Sequence, residues 1–166
     1  DRMAALTKDM EMVDSWTLLL LHLFAVAVVP AVAEEYYFRG SLMHIIQRMV
    51  KSPHLAVWIT AILFSAIHVQ FFGFLPRLLL GAFFGYMLLW TQNIWIPILG
   101  HFINNASAVV LAFYYTRQGN TYEELQSFEA YSIFTYLGSF VVSGIIGWYF
   151  YTKTKEINYG NRLGKN

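Results

Sequence analysis

A long apolar run, Trp16 to Ala33, leads directly into Glu34-Glu35-Tyr36-Tyr37-Phe38-Arg39-Gly40. A run of that kind reads as a membrane-spanning helix. Each ionisable group held near a bilayer centre costs about 3 kcal/mol on insertion scales. Three of them at the end of such a run therefore point to a use. Glu35 and Arg39 are four apart, so on a helix they share a face and can pair. Glu34 points about 100° away, outside that pair. Two neighbouring carboxylates, one paired and one not, can take different jobs in an apolar setting.

The rest of the chain agrees with a membrane setting. Of its 166 residues, 57% are hydrophobic and 13% charged, where soluble domains carry roughly 25% charge. Mean hydropathy is +0.47. These residues are too few in polar groups to coat a soluble domain, so the expected fold is all-α, a polytopic bundle of about five transmembrane helices. The net charge of +1 implies no nucleic-acid partner. The absence of cysteine removes disulfides, thiol nucleophiles and thiolate zinc sites together. The first apolar run is too long for the h-region of a signal peptide.

Taken in order, residues 1–15 read as a juxtamembrane or interfacial segment, 16–151 as the membrane-embedded domain and 152–166 as a basic polar tail. Pro30 predicts a kink in the first helix, and Gly40 is a second weak point before helical character continues to Val50. Ser52-Pro53 predicts a helix start, with Ser as N-cap and Pro at N1. That helix is expected to reach about Gln70. Gly73 and Pro76 mark a turn before the apolar run Leu78–Trp90, in which Gly81 and Gly85 form a small-residue face for helix contact. Thr91–Pro97 reads as a break, Ile98–Thr116 as a helix, Arg117–Gln126 as a polar loop and Phe128–Tyr151 as the last span.

Three of these helices carry polar groups inside apolar runs: Glu34, Glu35 and Arg39 on the first, His68 on the second, His101 and Asn105 on the fourth. His101 and Asn105 are one turn apart on one face, with Asn104 adjacent. In lipid such groups point inward and meet. A desolvated carboxylate favours its protonated form and can take a proton from water. One imidazole can hold or help activate that water. A second imidazole and an amide N–H can stabilise the oxyanion of a tetrahedral intermediate. His22, His44 and His54 read as structural, Phe64 as packing and Glu35–Arg39 as a pair that orients the helix carrying Glu34.

Other intramembrane hydrolases fit poorly. Neither His68 nor His101 lies in a His-Glu-x-x-His zinc motif. All the aspartates, Asp1, Asp9 and Asp14, precede the first span. Ser65 lies near His68, but there is no Gly-x-Ser-x-Gly elbow. A glutamate-centred site is what is left.

Glu34-Glu35-x-x-x-Arg39, Phe64-x-x-x-His68 and His101-x-x-x-Asn105, in this order, resemble the three motifs of the CAAX prenyl protease and bacteriocin-processing family, also called the Abi family of intramembrane proteases. The resemblance covers about Trp16 to Thr116. It implies an all-helical membrane endopeptidase in which Glu34 and His68 activate water, His101 and Asn105 bind the oxyanion, and Glu35 and Arg39 support them. It leaves metal use open, since two His and one Glu can hold Zn²⁺ with an open position or act on water directly. The expected partners are a peptide or protein substrate and the bilayer. A non-catalytic scaffold for another membrane protein is the alternative, and a transporter fragment with proton-relaying Glu34 a weaker one.

Five spans place the Arg48/Lys51 loop and the basic tail on one side, cytoplasmic by the excess of positive charge. Membrane-impermeant labelling of cysteines introduced at Lys51 and Lys165 should therefore mark both from the cytoplasmic face. Labelling from opposite faces would break the five-span topology.

Overall fold

The computed structural model describes residues 15–69, 71, 73–119, 141 and 144–154, and every regular element among them is helical. Helix α1 runs Trp16–Val50. It is continuous through Pro30 and Gly40, where the sequence predicts weak points. Two stretches wind as π-helix, Leu23–Val28 just before Pro30 and Tyr36–Leu42 around Gly40. A π turn is wider and bonds to the fifth residue. The helix thus absorbs both weak points without ending. Lys51, in the left-handed conformation with φ 54°, closes it.

Ser52 then caps α2, Pro53–Ala66, as its sequence predicts: its Oγ accepts from the Leu55 N–H at 3.3 Å, and Pro53 occupies the first position. The helix ends at Ala66, short of Gln70. The N–H groups of His68 and Val69 bond to the Ser65 and Ala66 carbonyls in tight turns, and Val69 takes a positive φ of 52°. Left-handed backbone is costly for a β-branched residue. The Ser65 hydroxyl donates to the Phe74 carbonyl at 2.6 Å, which ties the end of α2 to the start of the next helix.

Helix α3, Phe74–Thr91, starts at Gly73 with Pro76 in its first turn. Gln92, at φ 52°, ends it. Helix α4, Trp95–Arg117, begins earlier than Ile98. The Asn93 side-chain oxygen accepts from the Trp95 N–H at 3.0 Å. Pro97 falls in the first turn, where a helix needs no N–H donor. The expected break therefore shrinks to three residues, Gln92 to Ile94.

Helices α1, α3 and α4 are long and apolar enough to cross a membrane. Helix α2 is apolar but has 14 residues; at 1.5 Å each it covers about 21 Å, less than the roughly 30 Å hydrocarbon core. The expected segment at 1–15 lies outside the described residues except for Ser15, as do the Arg117–Gln126 loop beyond Gly119 and the tail beyond Thr154. Of the fifth expected span, Phe128–Tyr151, only 141 and 144–151 are described; these and 152–154 of the expected tail are helical.

The chain forms two compact units, one drawn from residues 1–33 and 98–136, the other from 34–97 and 137–166. In the first, Leu19 and Phe113 are buried together, and the Trp16 and Phe113 rings lie 5.0 Å apart. In the second, Met43 and Ile46 of α1 pack with Ala56, Val57 and Ala61 of α2 and with Ala82 and Leu88 of α3. Gly81 and Gly85 are the small-residue face the sequence predicts. A Cβ at Gly85 would stand 2.9 Å from Val57 Cγ1, and one at Gly81 3.2 Å from the Phe64 ring. The Thr154 hydroxyl reaches the Trp90 carbonyl at 2.7 Å, which fixes the C-terminal helical segment to α3. Leu20, Leu21 and Phe24 on α1 and Leu79 on α3 are exposed, as helix faces turned to lipid require.

Candidate active site

The second unit is built around a buried charge. Arg39 and Glu35 are 1% and 0% exposed, and Arg39 Nη1 donates to Glu35 Oε1 at 2.7 Å. This is the ion pair that the four-residue spacing predicts. Arg39 Nη2 donates to the Gly81 carbonyl at 2.8 Å. The guanidinium also lies over the Phe64 ring, 4.7 Å from its centroid, and 5.8 Å from that of Phe84. An isolated charge at such a position is expensive. Here a carboxylate, a carbonyl and two aromatic faces surround it. Gly81 makes the approach possible, because a Cβ there would stand 3.3 Å from Arg39 Nη2.

Phe64 joins this cluster to His68. Its ring makes edge contacts with Phe38 and His68, each at 5.1 Å between centroids. His68 is half-buried and sits just past the end of α2, not within it. Its Nδ1 lies 2.8 Å from the Phe64 carbonyl oxygen. A carbonyl only accepts, so Nδ1 carries the hydrogen. In the neutral ring Nε2 then holds the lone pair, the form that accepts a hydrogen from water.

Glu34 is half-buried, one residue before the ion pair. Arg39 has its hydrogen bond with Glu35, and Glu34 interacts electrostatically both with Arg39 and with Arg77 of α3. The sequence reading places Glu34 outside the Arg39 pair, and it misses Arg77. The available signal was a charge in the first turn of an apolar helix, four residues before Gly81.

The first unit holds the other two expected residues. His101 is 4% exposed on α4. One turn on, Asn105 is half-buried, and its Nδ2 donates to the Val26 carbonyl at 3.1 Å. Val26 lies four residues before Pro30, which has no N–H to offer that carbonyl. Asn105 thus supplies a donor where the proline cannot. An amide NH₂ has two hydrogens, and this bond uses one. Asn104 is exposed and donates to Asn105 Oδ1 at 3.2 Å, so it orients the neighbouring amide.

The remaining histidines each have a hydrogen-bond partner. His22 Nδ1 meets the Leu18 carbonyl at 2.7 Å, His44 Nδ1 the Arg39 carbonyl at 3.0 Å and His54 Nδ1 the Tyr86 hydroxyl at 3.3 Å. Among the described residues no three His, Cys, Asp or Glu side chains are grouped to hold a metal ion.

Residues 16–107 match the family described as type II CAAX prenyl endopeptidase, Rce1-like. The chain is also similar to the uncharacterized protein YpbD of Bacillus subtilis (strain 168), with 28% identity over 113 residues. That match takes in 65% of this chain and 55% of YpbD, so the chain spans about half the length of this curated relative. No solved structure matches the chain.

Glu35→Gln would leave the Arg39 charge buried without its counter-ion. Removing one partner of such a pair costs about 3–5 kcal/mol. The variant should show a lower melting temperature in detergent and a lower folded yield, together with lost activity. Full stability with lost activity would instead give Glu35 a chemical role.

Proposed function

The chain belongs to the type II CAAX prenyl endopeptidase, Rce1-like family, and from that premise we propose that it is an intramembrane endopeptidase cleaving a peptide at or near the membrane surface. The observation that carries the reading is the division of labour at Glu34-Glu35. Glu35 is hydrogen-bonded to Arg39 in a closed apolar cage, while Glu34, next to it, is half-buried at the edge of that cage. On this reading the first has a structural task and the second does the chemistry.

In the proposed reaction Glu34 and His68 hold one water. His68 accepts a hydrogen bond from it through Nε2, and Glu34 takes the proton as the water oxygen attacks the scissile carbonyl carbon. The carbonyl oxygen becomes an oxyanion, stabilised by His101 and by the second amide hydrogen of Asn105. Glu34 then gives the proton to the departing amide nitrogen and the C–N bond breaks. The products are a new carboxylic acid and a new amine, and transfer of the acid's proton to the amine gives carboxylate and ammonium. The convergence of the two residue pairs on one water is part of the proposal. So are the substrate, a peptide segment presented in or at the bilayer, and a cytoplasmic C-terminal tail.

One observation favours the alternative, a membrane scaffold that retains the fold without cleaving. The Asn105 bond to Val26 gives that amide a packing role that needs no catalysis. Cleavage of a membrane peptide by reconstituted protein separates the readings. Glu34→Ala should abolish cleavage while the protein still folds. Asn105→Ala should cost about 10²- to 10³-fold in turnover, as for one oxyanion donor, with a smaller loss of stability from the Val26 carbonyl. Undiminished cleavage by Glu34→Ala would end the glutamate mechanism. Loss of wild-type activity on chelation, restored by Zn²⁺, would make the same residues metal ligands. Normal cellular function of Glu34→Ala, with no cleavage by wild type, would establish the scaffold.

A further inference from the structure

We infer that Arg77 is a positioning residue for Glu34: from the first turn of α3 its guanidinium holds the Glu34 carboxylate beside the Glu35–Arg39 pair. The inference rests on the reading of Glu34 as the group that activates water.

The placement follows from the face of α3. Arg77 lies four residues before Gly81, so the two share one side of the helix, a turn apart. Gly81 touches α1 through its carbonyl bond to Arg39 Nη2 at 2.8 Å, and Phe84, on the same face, lies 5.8 Å from that guanidinium. The side of α3 that carries Arg77 is therefore the side turned toward the Glu-Glu-x-x-x-Arg segment. At its other end the guanidinium lies against Gly73, where a Cβ would come within 2.7 Å of Nη2. The side chain is half-buried, and Nη1 is shielded from solvent. Favourable electrostatic interaction with Glu34 accompanies this geometry.

The chemistry gives the arrangement a purpose. An arginine in an apolar helix is costly unless it is paired. Glu34 and Glu35 are adjacent carboxylates that repel each other in a medium of low dielectric. Arg39 is held by Glu35, Gly81 and Phe64. Arg77 brings a second positive charge from a different helix, so each carboxylate has a cation of its own. Its planar fork also fixes direction, and a displacement of about 1 Å in a catalytic group can cost 10²-fold in rate.

The test uses the full chain in detergent, with Arg77→Met, Arg77→Lys, Glu34→Gln and the Glu34→Gln/Arg77→Met double variant. Methionine keeps an apolar stem of similar length, and lysine keeps the charge. Arg77→Met should lower kcat by about 10- to 100-fold, with KM within about twofold of wild type. Arg77→Lys should recover most of kcat, which a purely structural role does not require. In thermal unfolding, the shifts from Glu34→Gln and Arg77→Met should be less than additive in the double variant. Wild-type kcat for Arg77→Met, or additive thermal shifts, would overturn the inference. The glutamate reading fails separately: Glu34→Gln would then be as active as wild type, while less-than-additive shifts would still support the contact.

Discussion

A positive charge that cannot leave the apolar interior organises this protein. The Arg39 guanidinium is buried and needs a counter-charge, acceptors and close neighbours at once. Glu35 gives the first, one helical turn away. The Gly81 carbonyl gives an acceptor from α3, and Phe64 gives an aromatic face from α2. Three helices are thereby fixed at one point. Gly81 is small because a larger residue would push α3 away from Arg39, and Gly85 repeats the requirement a turn later against Val57. Packing and electrostatics make the same demand of this face.

The proposed reactive groups, Glu34 and His68, flank that cluster. Glu34 is held in direction by the backbone that anchors Glu35. His68 stands where α2 ends, its ring against Phe64 and its Nδ1 on the Phe64 carbonyl. Because α2 is shorter than the hydrocarbon core is thick, its end can lie within the membrane. Val69 accepts a left-handed backbone next to His68. Strain of this kind is kept only where the surroundings enforce it, and the Ser65–Phe74 hydrogen bond is one such tie.

Much of this was legible in the sequence because it depends on local spacing. The Glu35–Arg39 pair follows from helical geometry, the Ser52 cap from turn chemistry and the Gly81/Gly85 face from residue size. What escaped depends on contacts between distant segments. Ile67, His68 and Val69 hold no helix breaker, so nothing local announces that α2 stops at Ala66. Pro97 reads as a break, yet Asn93 turns it into part of a helix start. Asn105 meets Val26 because Pro30 leaves that carbonyl without its usual donor, a link across 79 positions. Arg77 falls between the Gly73–Pro76 turn and the Leu78–Trp90 run, and its electrostatic interaction with Glu34 crosses from one helix to another.

The central proposal is that Glu34 and His68 act on the water whose attack His101 and Asn105 assist. The chain has no cysteine, so a single introduced pair can measure it. Cysteines at His68 and His101 in the 166-residue chain, reconstituted in lipid, should be joined by bis-thiol reagents with the shortest spacers. That outcome corresponds to side chains within about 7 Å, the reach of one bridging water. Cross-linking only by long spacers, in a protein that retains its wild-type melting behaviour, would contradict a shared site.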